Sequence, residues 1–139
     1  MEGKAGDQAA LDELLQRARE AARHAYAPYS NFRVGAALRL TSGAIVTGTN
    51  VENASYGLTV CAERTAVAQA VVKFGPEIRI AEVAVTNLNH AASPPCGACR
   101  QVLAEFIEPD APVAFATADG VRVMPFRELL PERFEKRRG

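Results

Sequence analysis

All three cysteines of the chain fall in two short runs, Cys61-Ala62-Glu63 and Pro95-Cys96-Gly97-Ala98-Cys99. If the three sulfurs serve one metal, the fold has to bring two runs that are distant in the sequence to a single point. A structural zinc closes its tetrahedron with four protein ligands, whereas a catalytic zinc keeps three and leaves the fourth position to water or substrate. Three thiols, with a carboxylate two residues beyond the first, match the open arrangement and point toward hydrolytic zinc chemistry. Other readings of the same residues stay open. Cys96-x-x-Cys99 alone fits a redox pair or half of a zinc ribbon, although a ribbon needs a second C-x-x-C and the chain has none. His90, six residues before Cys96, could complete a closed Cys₃His structural site. His24 ends an amphipathic helix, where histidine commonly serves the helix dipole.

A chain of 139 residues is the size of one domain and can bury a core without disulfides or a metal staple, so residues 1–139 are expected to form a single domain. Lys+Arg and Asp+Glu both total 16. Without net charge, nothing draws the protein to nucleic acid or an anionic membrane, and a small-molecule substrate is expected. The start, Met1 to Gln8, lacks the basic-then-apolar pattern of a secretory signal, and no apolar run approaches the ~20 residues needed to span a bilayer. The expectation is a soluble, cytoplasmic protein, in which an odd number of cysteines favours metal or thiol chemistry over a disulfide framework.

Leu11, Leu14, Leu15, Ala18, Ala21, Ala22 and Ala25 recur at helical spacing and predict an amphipathic helix from about Ala9 to His24. Val34, Ala36, Leu38 and Leu40 alternate with other residues before Ser42-Gly43, so Phe32–Thr49 reads as a hairpin. Cys61–Phe74 reads as a helix stopped by Gly75-Pro76, Ile80–Thr86 as a buried strand, Gly97–Ile107 as a helix and Val113–Thr117 as a strand. Asp119-Gly120 marks a turn, and a short helix over Phe126–Leu130 precedes a charged tail. This order favours an α/β fold in three layers, α/β/α, on a mixed sheet of about five strands whose later strands are parallel.

Both cysteine runs sit where the chain enters a helix. Free N–H groups and the macrodipole there favour anions and lower a nearby thiol's pKa. Three thiolates on Zn²⁺ leave a net negative charge, which opposes acidifying a bound water, so the site needs compensation. Arg64 and Arg100 are placed to supply it, and Arg64 is the expected donor to sulfur. Glu63 is the candidate general acid/base, its ordinary alternative being an exposed first-turn glutamate.

The runs Cys61-Ala62-Glu63-Arg64, Pro95-Cys96-Gly97-Ala98-Cys99-Arg100-Gln101 and Asn50-Val51-Glu52-Asn53-Ala54-Ser55-Tyr56-Gly57 resemble those of the small, homotetrameric cytidine deaminases. The likeness extends from Tyr29-Ser30-Asn31-Phe32-Arg33-Val34 to Leu129-Leu130-Pro131 and Phe134. It implies zinc on Cys61, Cys96 and Cys99, and hydrolytic deamination of cytidine and deoxycytidine to uridine and deoxyuridine in pyrimidine salvage. Glu63 would carry a proton from water to ring N3 and then to departing ammonia. It further implies that Asn50 and Glu52 bind the ribose, that Phe32 lines the base pocket, that the backbone N–H of Ala62 and the Pro95 region orient the amino group and water, and that Tyr56 and Phe134 lie near a neighbouring subunit's pocket. A negative Glu52 at the sugar disfavours phosphate, so nucleosides are expected over nucleotides.

The chain departs from the family pattern at Pro94, where serine is frequent, and in the loop Asn87–Ser93, which has no close match. The basic tail Lys136-Arg137-Arg138 forms no evident nucleic-acid stripe. Two rivals remain: a deaminase of a cytosine-bearing antibiotic of the blasticidin type, and a zinc-stabilised binding module without catalysis.

Overall fold

The computed structural model describes residues 2–139. Met1, the first residue of the run read above as lacking a secretory pattern, lies outside the described residues. The first helix, α1, covers Glu2–Ala22, so it begins before the expected Ala9 and ends two residues short of His24. Strands β1 (Val34–Leu40) and β2 (Ile45–Thr49) form the anticipated hairpin, with Ala36 opposite Gly48 and Leu38 opposite Val46. A 3₁₀ turn at Tyr56–Leu58 leads into α2 (Ala62–Phe74), and β3 (Ile80–Asn87) follows. Helix α3 (Gly97–Ala104), β4 (Pro112–Thr117), β5 (Gly120–Pro125) and the short α4 (Phe126–Leu129) complete the chain.

The five strands lie in one sheet in the order β2-β1-β3-β4-β5. Only β3 and β4 pair in parallel; β5 returns antiparallel to β4, with Val113 opposite Met124. The sheet is thus mixed and five-stranded, as expected, but the parallel character stops at one pair. Strand β5 follows a two-residue turn, and only an antiparallel return fits so short a connection.

Each face of the sheet meets helices for a reason visible in the residues. On one side Leu14 and Ala18 of α1, both fully buried, pack on Ala37 and Ala84. Burial of a side chain such as Leu14 contributes about 1.5–3 kcal/mol. The approach is backbone to backbone: a Cβ on Gly35 would lie 1.8 Å from the Ala18 carbonyl oxygen. The other side carries the larger core, in which Leu38, Val83, Val85 and Val113 meet Ala66, Leu103, Ile107 and Phe126. There a Cβ on Gly48 would lie 2.4 Å from the Ala66 nitrogen and 2.7 Å from the Ala62 carbonyl oxygen. The first turn of α2 is thereby pressed onto the hairpin.

Helix α2 ends where Gly75 takes φ of 92° and returns its N–H to the Val71 carbonyl, a conformation glycine adopts without strain. Helix α3 stops at Ala104, short of the expected Ile107, because the peptide groups beyond it are needed elsewhere. Ile80 donates to the Phe106 carbonyl at 2.9 Å and accepts from Glu108 at 3.1 Å, so the chain leaves the helix to extend the sheet beside β3. Among the described residues, no helix is long and apolar enough to cross a membrane.

Candidate active site

Cys61 and Cys96 occupy the N-cap positions of α2 and α3, both in extended backbone with φ/ψ of −76°/158° and −70°/169°. Cys99 follows one turn into α3. Its backbone N–H donates to the Cys96 sulfur at 3.4 Å, which satisfies one of the free donors of the helix start. Helices α2 and α3 lie side by side on the same face of the sheet, and their starts converge. All three sulfurs lie within 4.8 Å of one another, with Cys96 and Cys99 only 3.3 Å apart. Metal–sulfur bonds of about 2.3 Å in a tetrahedron set sulfur–sulfur edges of about 3.8 Å, so these three sulfurs fit zinc after small side-chain adjustments. Among the described residues no other such group converges, and His90 is not part of this one. The closed Cys₃His alternative therefore has no geometric support.

The electrostatics favour an anionic ligand set. The Arg64 guanidinium lies 3.5 Å from the Cys61 sulfur and 3.5 Å from the Thr59 carbonyl oxygen. Its Nε is buried without a partner. A hydrogen bond from the Cys99 thiol, aided by Arg64, brings Cys61 down to about 5. The Cys99 thiol is pushed up, first by that same bond and then by burial. Glu63, one residue into α2, is only 4% exposed. Burial pushes its carboxyl up to about 7.

A cavity of about 280 Å³ opens onto these groups. Phe32, Asn50, Cys61, Ala62, Glu63 and Cys96 line it, so the structure brings together the expected ligands, acid, base-pocket aromatic and one of the two ribose candidates. Asn50 also organises the wall, accepting from the Val34 N–H at 2.9 Å and donating to the Phe32 carbonyl at 2.8 Å. The other ribose candidate, Glu52, is not among the lining residues. Its carboxylate accepts from the N–H groups of Tyr29 at 3.0 Å and Ser30 at 3.2 Å and from the Ser30 hydroxyl. The Ser30 hydroxyl, followed by these amides, holds Glu52 below its ordinary range. Residues two apart share a face only along a continuing strand, but β2 ends at Thr49, so Asn50 and Glu52 part company. Tyr56 and Phe134 stand away from the cavity, 88% and 70% exposed.

Sequence reasoning missed Val34, Thr59, Val85, Ala92 and Ser93 as lining residues. Val34 and Val85 were legible only as strand positions, whereas Ala92 and Ser93 belong to the loop without a close family match. Arg100, anticipated as a donor near sulfur, instead spans two carbonyls, Pro95 at 2.8 Å and Leu129 at 2.9 Å.

The family described as the cytidine and deoxycytidylate deaminase zinc-binding region matches residues 9–115. The chain belongs to the cytidine deaminase family. It is 43% identical over 122 residues to a cytidine deaminase of Halalkalibacterium halodurans, covering 87% of this chain and 91% of that one. A cytidine deaminase of Sporosarcina psychrophila is 39% identical over 127 residues, covering 91% of this chain and 92% of the relative. The crystal structure of a cytidine deaminase from Burkholderia pseudomallei superposes with a TM-score of 0.80 at 46% identity, covering 88% of this chain and 98% of that chain. As a cytidine deaminase family enzyme the chain takes zinc as its cofactor, and the thiol cluster suits that metal.

Proposed function

We propose that this chain, as one domain over residues 1–139, hydrolyses cytidine and deoxycytidine to uridine and deoxyuridine with release of ammonia, as a step of pyrimidine nucleoside salvage in the cytoplasm. The observation that carries the proposal is the convergence of three cysteine sulfurs, two of them with the buried Glu63 lining one cavity. Cys61, Cys96 and Cys99 would hold the metal. Bound zinc supplies Lewis acidity, which makes a water nucleophilic near neutral pH.

Glu63 accepts the proton from that water and gives it to N3 of cytosine as the water oxygen bonds to C4. It then takes the remaining proton from the new C4 hydroxyl and delivers it to the exocyclic nitrogen, whose bond to C4 breaks to free ammonia as the C4 carbonyl forms. Burial beside the sulfurs suits this work, since a carboxyl walled off from solvent exchanges protons with the substrate and not with bulk water. Proton transfer by a positioned carboxyl contributes on the order of 10²–10⁴ in rate.

Phe32 and the Ala62 backbone bound the base, with Phe32 supplying an apolar face. Asn50 and Glu52 receive the ribose hydroxyls, and the negative Glu52 disfavours a phosphate there. Arg64 offsets the thiolate charge from outside the ligand set. Tyr56 and Phe134 belong to surfaces covered by neighbouring copies in a homotetramer. The exposure of Tyr56 together with Leu58 and Val51, in the segment between β2 and α2, supports that assembly.

The test is turnover of cytidine and deoxycytidine by zinc-loaded protein, read as uridine, deoxyuridine and ammonia, beside Glu63→Gln with its zinc content measured. Product from the parent and a loss of at least a hundredfold in the variant at equal zinc are expected. A parent that retains zinc yet leaves both nucleosides intact would overturn the proposal.

A further inference from the structure

The segment that carries Phe32 is gripped by two asparagine side chains acting on alternate peptide groups. Asn50 takes the Phe32 carbonyl at 2.8 Å and the Val34 N–H at 2.9 Å. Asn89 takes the neighbouring pair: it accepts from the Arg33 N–H at 3.0 Å and donates to the Asn31 carbonyl at 3.0 Å. Each carboxamide presents one donor and one acceptor, so each pairs with the backbone as an adjacent strand would. Asn31 has φ of 59°, a left-handed turn immediately before Phe32 that this grip fixes. Asn89 is itself held by Asn87, the last residue of β3, whose buried side chain accepts from the N–H groups of Asn89 at 2.9 Å and Ala91 at 3.2 Å. The same Asn87 donates to the Ser93 hydroxyl at 3.0 Å, and Ser93 lines the cavity.

We infer that Asn89 is a positioning residue for the base pocket: with Asn50 it clamps residues 31–34 from both sides and so fixes where the Phe32 ring meets the substrate. The inference rests on the reading of Phe32 as a base contact. Neither the cysteine motifs nor helix or strand periodicity points to Asn89, because it lies in a loop and acts only through backbone groups far away in the sequence. Phe32 contacts the base throughout the reaction, so loosening it weakens ground-state and transition-state binding together and raises KM with little change in kcat.

The experiment measures cytidine kinetics for the parent, Asn89→Ala, Phe32→Ala and the double variant, with zinc content and Tm alongside. Asn89 is exposed, and its substitution leaves the core intact. Asn89→Ala is expected to raise KM on the order of fivefold, the loss of one to two modest hydrogen bonds, with kcat within about twofold. Asn89→Asp keeps the acceptor for Arg33, loses the donor for Asn31, and falls between. In the Phe32→Ala background the effect of Asn89→Ala vanishes, since nothing remains to position. Amide hydrogen exchange gives a readout independent of turnover: the Val34 N–H, bonded to Asn50 and not to Asn89, exchanges faster in Asn89→Ala if the clamp works as a unit. Unchanged KM in Asn89→Ala, or an equal rise with and without Phe32, would overturn the inference. Turnover by the parent tests the activity itself, so failure there is distinct from failure of Asn89→Ala to move KM.

Discussion

Gly48→Ala offers a direct test of how closely catalysis depends on the seating of α2. An added methyl would lie 2.4 Å from the Ala66 nitrogen, 2.5 Å from the Thr65 hydroxyl oxygen and 2.7 Å from the Ala62 carbonyl oxygen. The hydroxyl can rotate away, but the two backbone atoms belong to the first turns of α2 and cannot move without the helix. Overpacking of this kind costs about 1–3 kcal/mol, and rigid backbone neighbours place Gly48 near the top of that range. At roughly 3–5 °C per kcal/mol for a chain of this size, Tm falls by about 6–15 °C. The displacement lands on Ala62 and Glu63, and a shift of about 1 Å at a reacting group costs on the order of 10² in rate. The assay pairs thermal unfolding with kcat/KM for cytidine at a temperature where the variant is folded. Gly35→Ala is the control. Its methyl meets the Ala18 carbonyl oxygen at 1.8 Å, but the strain falls on α1, which carries no residue of the site, so stability drops and kcat changes little. If Gly48→Ala matched the parent within about 0.5 kcal/mol and twofold in kcat/KM, the account of α2 seating would be refuted.

Arg64→Gln removes the guanidinium that lies 3.5 Å from the Cys61 sulfur. Zinc affinity, measured by competition with a chromophoric chelator, is expected to drop about 10–100-fold; unchanged affinity and turnover would refute the role given to Arg64. Glu52 links pH to stability: its pKa is held below the ordinary value, so it stabilises the fold above the unfolded-state pKa, and this contribution is lost as pH falls through the lower folded value. Denaturation midpoints followed downward from neutral pH should therefore decline more for the parent than for Glu52→Gln, and parallel curves would count against the bonds to Tyr29 and Ser30.

Much of the site was legible because its chemistry is local. Cys61, Glu63 and Arg64 share one helix start and Cys96 and Cys99 another, and the apolar spacing that follows each run marks where those helices begin. The fold class was legible for a similar reason, since alternating strand and helix patterns leave few topologies. What escaped depends on contacts between segments. Strand β5 was not assigned because Val121 and Val123 are half exposed while Met124 packs inward, so its apolar alternation does not mark the buried face. The end of α3 was set by hydrogen bonds to Ile80, a distant partner. The direction of the Glu52 carboxylate was decided by amides at Tyr29 and Ser30, and the roles of Asn87 and Asn89 by a loop that periodicity cannot describe.

The backbone uses its two N-cap cysteines differently. At Cys96 the sulfur accepts the Cys99 N–H much as a serine or threonine oxygen would, so the position has a use in the backbone apart from any metal. Cys61 makes no side-chain capping bond, and the start of α2 is held instead by its packing against Gly48. Each helix start is thus held by a bond or by packing within the chain, beside its sulfur's place in the cluster. The two cysteines therefore divide the work: Cys96 serves its helix and the sulfur cluster at once, whereas Cys61 is left to the cluster alone.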